Sequence, residues 1–252
     1  MQVSAARYPD LAGRGVIVTG GASGIGAAMV RGLAEQGARV GFVDLDAGAA
    51  ADLAADLPPG AAYEICDLRD AAALGAALAR LAERIGPVRG LVNNAARDDR
   101  HDWRAVTPEY WDERMATNLR HMFFAIQALA PGMIAAGGGA IVNMGSSSWM
   151  EGMGGMPAYT TAKAAVHGLT RSMARDLGPD RIRVNTLVPG WVMTERQRAL
   201  WVTQEALAAR RARQCLPELI QPEHVARMAL FLLSDQSEMC SAQVFIVDGG
   251  AV

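Results

Sequence analysis

The stretch that most restricts what this chain can fold into lies near its start. Val16-Ile-Val-Thr19 is a short run of β-formers. Gly20-Gly-Ala-Ser-Gly24-Ile-Gly26 follows, and a helical pattern then runs to about Gln36, where Gly37 stops it. The glycines permit a tight turn and a close approach of backbone to ligand, and the helix beyond them turns its free N–H groups toward the same spot. Strand, glycine loop and helix in this order form a cradle for a pyrophosphate. The spacing, Thr-Gly-x-x-x-Gly-x-Gly, is slightly wider than the usual dinucleotide fingerprint.

The rest of the chain repeats that unit. Arg39-Val-Gly-Phe-Val-Asp44 reads as a second strand, and an alanine-rich helix over 47–57 ends at Pro58-Pro-Gly60. A third strand over 62–66 leads into Asp67-Leu68 and a helix over 70–85, with Leu74, Leu78 and Leu81 on one face. Leu91-Val-Asn-Asn94 is a fourth strand, and a charged loop, Arg97-Asp-Asp-Arg-His101-Asp-Trp103, follows it. Thr107-Pro108 reads as N-cap and first residue of one long helix past Trp111 and Asn118 to about 136. A fifth strand over 140–144, a helix over 158–177, a sixth strand over 183–188, a helix over 222–233 and a strand over 244–247 complete the alternation. Residues 191–215 break the rhythm. They are polar, arginine-rich and carry Trp191 and Trp201, and they read as a mobile helical flap covering a substrate. The expectation is an α/β fold: one Rossmann-type domain over 1–252, a doubly wound parallel sheet of about seven strands with right-handed crossovers.

In such sheets ligands bind at the carboxyl ends of the strands. Gly20, Asp44, Asp67, Asn94, Ser146 and Pro189-Gly190 all fall there. Asp44 stands about 20 residues beyond the glycine loop, where a carboxylate binds the adenosine ribose hydroxyls and repels a 2′-phosphate. Asp46 is a neighbouring candidate, and either could instead cap the next helix. Tyr159 and Lys163 lie four apart and share a helix face. A cation beside a phenol favours the phenolate and lowers its pKa, which makes a base. Ser146, just past the fifth strand, offers a hydroxyl to hold the oxygen whose proton Tyr159 moves.

Composition excludes several alternatives. Of 252 residues, 51% are hydrophobic and 20% charged, which argues against disorder, and a net charge of −2 gives no reason to expect nucleic acid or an anionic membrane as partner. Three scattered cysteines, Cys66, Cys215 and Cys240, show no metal spacing and fit reduced thiols in a cytoplasm. The opening residues lack a long apolar segment, so no signal peptide is expected, and no run approaches the ~20 apolar residues needed to span a bilayer. No metal site is expected.

Together these residues resemble the short-chain dehydrogenase/reductase family from about Arg14 to Gly250. Thr19–Gly26 is similar to its cofactor loop, and Asn93-Asn-Ala-Ala96 to its Asn-Asn-Ala-Gly motif, with Ala96 in place of the glycine. Asn118, Ser146, Tyr159 and Lys163 match its catalytic tetrad in order and spacing. The resemblance implies a nicotinamide cofactor, NAD, held by Gly20, Ser23, Gly24, Ile25, Gly26, Asp44, Asp67, Leu68, Asn94, Tyr159, Lys163, Pro189, Val192 and Thr194. It implies Tyr159 as base, Lys163 as its modulator and ribose ligand, Ser146 on the reacting oxygen, Asn118 on a relay water, and a homotetramer. A narrower resemblance, carried by Asn93–His101, Tyr110–Arg114, Asn118–Met122, Pro189–Gln197 and Gln214–Leu216, is to bacterial NAD-dependent aldose 1-dehydrogenases, the D-xylose type especially. It implies an aldose, of D-xylose or L-arabinose type, oxidised at C1 to the lactone, with Ser146, Ser148, Trp149, Tyr159 and Trp191 around it. The alternatives are a carbonyl reductase or alcohol dehydrogenase for a non-sugar substrate, and a nucleotide-binding regulator without turnover.

Overall fold

The structure, a computed structural model, describes residues 6–252; residues 1–5, part of the stretch read as lacking a leader, lie outside it. Its strands are β1 (Gly15–Thr19), β2 (Arg39–Asp44), β3 (Ala62–Ile65), β4 (Val88–Asn93), β5 (Gly139–Met144), β6 (Ile182–Pro189) and β7 (Val244–Val247). The α-helices are α1 (Gly24–Glu35), α2 (Ala47–Ala55), α3 (Ala71–Ile85), α4 (Pro108–Met115), α5 (His121–Ala135), α6 (Pro157–Leu177), α7 (Glu195–Leu200), α8 (Gln204–Arg213) and α9 (Pro222–Leu233). The seven strands form one parallel sheet in the order β3-β2-β1-β4-β5-β6-β7, as the alternation predicts.

A parallel sheet is covered on both faces, so its central strands bury every residue. β1 and β5 do so throughout, whereas the edge strands β3 and β7 keep exposed positions. One core layer packs Val16, Val18 and Val142 against Met29, Leu33 and Leu230 of α1 and α9; the other packs Ile17, Leu91 and Ile141 against Leu78, Ile126 and Met133 of α3 and α5. Each such side chain contributes roughly 1.5–3 kcal/mol when fully buried. The order reverses between β1 and β4, which opens a crevice at their carboxyl ends.

Three boundaries carry functional information. Asp46 is the N-cap of α2 and accepts the Ala49 amide at 3.0 Å, so of the two candidate acids it is the helix cap. The helix expected from 108 to 136 is interrupted by a π turn, Ala116–Arg120. Asn118, inside that turn, donates to the Arg114 carbonyl at 3.0 Å and takes it from the backbone ladder, which favours the wider turn. The segment read as a flap is two helices, α7 and α8, meeting at Trp201. Among the described residues no helix is long and apolar enough to cross a membrane.

Candidate active site

The loop after β5 is built by ladder bonds that continue beyond the strand. Gly145 donates to Leu187 at 2.8 Å and Ser147 to Pro189 at 3.1 Å. A side chain at Gly145 would press on Val188 and Thr186 at 2.9 and 3.0 Å, so only glycine lets the loop lie flat on β6. Ser146 and Ser148 are both buried, their hydroxyls 2.8 Å apart. Helix α6 then delivers Tyr159, hydrogen-bonded to Ser146, and Lys163, whose ammonium donates to the Met144 carbonyl at 2.8 Å. Lys163 is 1% exposed, and its nitrogen lies 5.8 Å from the centre of the Tyr159 ring. Asn118, fully buried in the π turn that packs on α6, accepts the Arg97 amide at 2.8 Å.

The electrostatics differ from the sequence expectation. Burial pushes the Tyr159 phenol up to about 12, against a lowering hydrogen bond from Ser146; Asp98 adds to the rise, and Arg100 and Arg196 oppose it. Burial also pulls Lys163 down to about 7. Desolvation of the charged forms therefore outweighs the cation–phenol attraction that their spacing suggested. At rest Tyr159 is a neutral phenol that donates or accepts according to what binds beside it.

His121 is a residue that the sequence reading passed over. It lies three positions after Asn118, close to it on the same helical face. Its Nε2 donates to the Ala95 carbonyl at 3.1 Å, and its buried Nδ1 has no partner among the described residues. With the Asn118–Arg97 bond this clamps the β4 exit on both sides of Ala96. Burial first, then the Lys163 charge, lower His121 to about 3. The unfolded chain binds that proton near 6.5 and the folded chain refuses it, so stability is lost as pH falls from about 6.5 toward 3. His121→Gln is expected to flatten that acid limb, read as urea midpoints at pH 7, 5.5 and 4. An equally steep limb in the variant would contradict the assignment.

The crevice fits a dinucleotide. Gly20 and Gly24 have φ of +62° and +53°, and a Cβ on Gly26 would lie 2.0 Å from the Gly20 carbonyl oxygen, so the loop must be glycine to fold under the helix. Ser23 is the N-cap of α1 yet makes no side-chain cap bond, which leaves its hydroxyl and the first α1 amides facing the loop. Ile25 and Leu68 lean on the core at either side. Asn94 spends its amide on the Thr19 and Gly20 carbonyls, at 3.0 and 2.9 Å, and so shapes the loop. Asp44 accepts the amides of Ala22, Leu45 and Asp46, which fixes its carboxylate at the lip of the cradle. Asp67 pairs with Arg69 at 2.6 Å, and that hydrogen bond holds its carboxyl below the usual range. Val192 is buried beside Pro189, and Thr194 caps α7 with its methyl facing Gly24 across the crevice.

A polar surface borders the site. The loop after β4, read as charged, is pinned along its length. Asp98 bonds Arg196 and Gln197, Asp99 bonds Arg196 and Arg114, and Arg100 lies over Trp201. His101 accepts the Ala158 amide at 3.3 Å, capping the catalytic helix. Trp191 donates to Gln197 at 2.9 Å and so joins this surface. Trp149, expected beside the substrate, packs edge-on against His167 with ring centres 5.0 Å apart. Glu151 and Arg210 form a buried pair that ties α8 to the serine loop. Each partner was visible in the sequence, but a pair 59 positions apart leaves no local pattern.

A family model of the short-chain dehydrogenases, described as enoyl-(acyl carrier protein) reductase, matches residues 20–252. A protein of Rhizobium meliloti named "Probable galactose dehydrogenase GalD" is 49% identical, over 99% of each chain. The D-xylose 1-dehydrogenase of Caulobacter vibrioides is 48% identical, over 98% of this chain and 99% of its own. Among solved structures, a short-chain type dehydrogenase/reductase from Mycobacterium ulcerans superposes with a TM-score of 0.90 at 29% identity, over 98% of this chain and 91% of that one. With the glycine cradle at the switch point and the serine, tyrosine and lysine meeting at the end of β5, the chain belongs to the short-chain dehydrogenase/reductase family, nicotinamide-dependent oxidoreductases of CH–OH groups.

Proposed function

We propose that this protein oxidises a free aldose at C1 to the aldonolactone with NAD. The observation that carries the reading is the polar group Asp98, Arg196, Gln197 and Trp191, on a loop bonded to Asn118 and to the first turn of the Tyr159 helix, which suits a polyol and penalises an acyl chain. The names of the relatives support it. D-xylose and D-galactose, as pyranoses, agree at C2 and C3 and differ at C4 and in the C6 group, so what they share is the edge next to the reacting carbon.

In this mechanism Ser146 and Tyr159 hold the O1 hydroxyl, and Tyr159 takes its proton as C1 loses hydride. A nicotinamide held in the glycine cradle would supply the hydride acceptor. Lys163, when it carries its proton, stabilises the phenolate form of Tyr159, which is the form that takes the proton, and would hold the nicotinamide ribose. Asn118 and His121 keep the β4 exit in place. The ring oxygen is already bonded to C1, so loss of hydride and proton leaves the lactone directly. Helices α7 and α8 act as the cover that excludes water.

The cofactor choice rests on Asp44, whose carboxylate is fixed where a 2′-phosphate would lie, with no arginine or lysine in the glycine loop to receive that phosphate. NAD is expected to exceed NADP in kcat/KM, and Asp44→Ser to narrow the gap; equal use of both by the wild type contradicts this assignment. Initial rates with NAD on D-xylose, L-arabinose, D-galactose, D-glucose, L-fucose and a simple secondary alcohol test the substrate. Turnover of a sugar is expected. Activity on the alcohol with none on any sugar would leave the family standing and remove the aldose.

The reading includes a cytoplasmic homotetramer. Trp111 on α4, Phe123 on α5 and Val244 and Ile246 on the edge strand β7 are exposed apolar residues that support subunit contacts.

A further inference from the structure

Asp98 stands off the carboxyl end of β4, on the same side of the sheet as Ser146 and Tyr159. It meets the first turn of α7, which Thr194 starts. One carboxylate oxygen takes Arg196 and the other takes Gln197, the latter at 2.7 Å. A carboxylate has about four acceptor sites, so two directions stay open. The side chain of Asp98 is 21% exposed, which is the room that a ligand needs. Trp191 holds Gln197 from behind at 2.9 Å, which fixes the orientation of the whole group. The loop that carries Asp98 is tied to the site on both sides, by the Arg97 amide donating to Asn118 at 2.8 Å and by His101 accepting the amide of Ala158, next to Tyr159, at 3.3 Å. The effect of the Asp98 charge on the Tyr159 hydroxyl agrees with that placement. Asp99 differs. It shares Arg196, at 2.7 Å, but is drawn toward Arg114.

We infer that Asp98 is the specificity residue of this site and accepts a hydrogen bond from the aldose hydroxyl at C2, next to the reacting carbon. This rests on the aldose reading above and sharpens it. Tyr159 and Ser146 engage O1, so the neighbouring acceptor on the cleft wall is placed for O2. The position also fits what the two sugar-named relatives have in common, since D-xylose and D-galactose share their C2 configuration. Arg196 and Gln197 hold the carboxylate in place and close the site when the sugar bridges α7 to the β4 loop. A substrate without a hydroxyl beside the reacting carbon leaves the open acceptor positions of Asp98 unfilled in the closed cleft.

The test compares each sugar with its 2-deoxy analogue, D-galactose with 2-deoxy-D-galactose and D-glucose with 2-deoxy-D-glucose. Wild type is expected to favour the full sugar by about 10–100-fold in kcat/KM beyond any intrinsic reactivity difference, the range of one hydrogen bond to a charged group. In Asp98→Ala that preference should collapse, because the full sugar loses about 10–100-fold and the deoxy sugar little. Asp99→Ala loosens the same latch and should keep the preference, which separates sugar recognition from simple closure. Should Asp98→Ala melt early, Asp98→Asn preserves shape and should show a reduced preference. An unchanged preference in the Asp98 variants overturns the inference while leaving the aldose reading intact. A wild type that oxidises no aldose overturns both, and that failure is visible before any variant is made.

Discussion

Tyr159→Phe is expected to bind NAD as the wild type does and to lose nearly all turnover. The substitution removes one oxygen. The ring keeps its place on α6, Lys163 keeps its bond to Met144, and only the hydrogen bond to Ser146 and the titrating group are lost. General acid–base catalysis is typically worth about 10²–10⁴-fold, so kcat should fall by at least that range with little change in the NAD dissociation constant. The pH dependence sharpens the expectation. The active form is the deprotonated oxygen, and burial sets the phenol at about 12 in the protein by itself, so the wild-type rate should climb with pH. Lys163→Met removes a nearby group that can carry a stabilising proton, and the climb should then begin at higher pH. A Phe variant with near-normal turnover, or a rate that falls with rising pH between 7 and 9, would remove Tyr159 from the base role.

The second large effect is on stability. Glu151 sits in the serine loop with its side chain 2% exposed, and Arg210 on α8 is 7% exposed. Arg210 reaches both Glu151 oxygens at 3.0 Å, and Ser147, beside the catalytic serine, donates to Glu151 at 2.6 Å. Glu151→Ala leaves a buried guanidinium without its counter-charge, a change that costs about 3–5 kcal/mol. For a chain of this size that is a fall in Tm of roughly 10 °C. Because the pair joins α8 to the serine loop, the KM for the sugar should rise along with the loss of stability. The double change Glu151→Met with Arg210→Leu should recover most of the Tm, since an apolar pair of similar volume needs no counter-charge. A Glu151→Ala protein that melts within a degree of wild type would show that the pair contributes nothing.

What the chain discloses before folding is set by the range of each interaction. The sheet was legible because its signals are local: glycines after β1, Asp44 at the end of β2, and Pro157 at the first turn of α6 each stand at the element that they define. The proximity of Tyr159, Lys163 and Ser146 was legible because the first two share a helix and Ser146 follows the end of a strand. The π turn at Asn118 was not, since a helix that widens for one turn keeps nearly the same apolar pattern. The role of the β4 loop was hidden for another reason. Asp98 looks like solvated charge until α7, nearly 100 residues later, supplies Arg196 and Gln197. The packing of Trp149 on His167 was hidden for the same reason, because the neighbour that an aromatic after Ser148 meets depends on the path of the loop. The rise of the Tyr159 pKa belongs to this class as well. Spacing reveals the neighbouring charge but not the burial that outweighs it.

The central claim is hydride loss from C1 of an aldose, and isotopic transfer tests it most directly. The aldose turned over fastest in the panel, D-xylose first, would be supplied with deuterium at C1 and unlabelled NAD. The reduced cofactor would be isolated and weighed by mass spectrometry. The account predicts one deuterium in each reduced cofactor, a lactone or its acid without label, and no labelled cofactor from Tyr159→Phe over the same time. Reduced cofactor without deuterium, beside product that retains the C1 label, would contradict it.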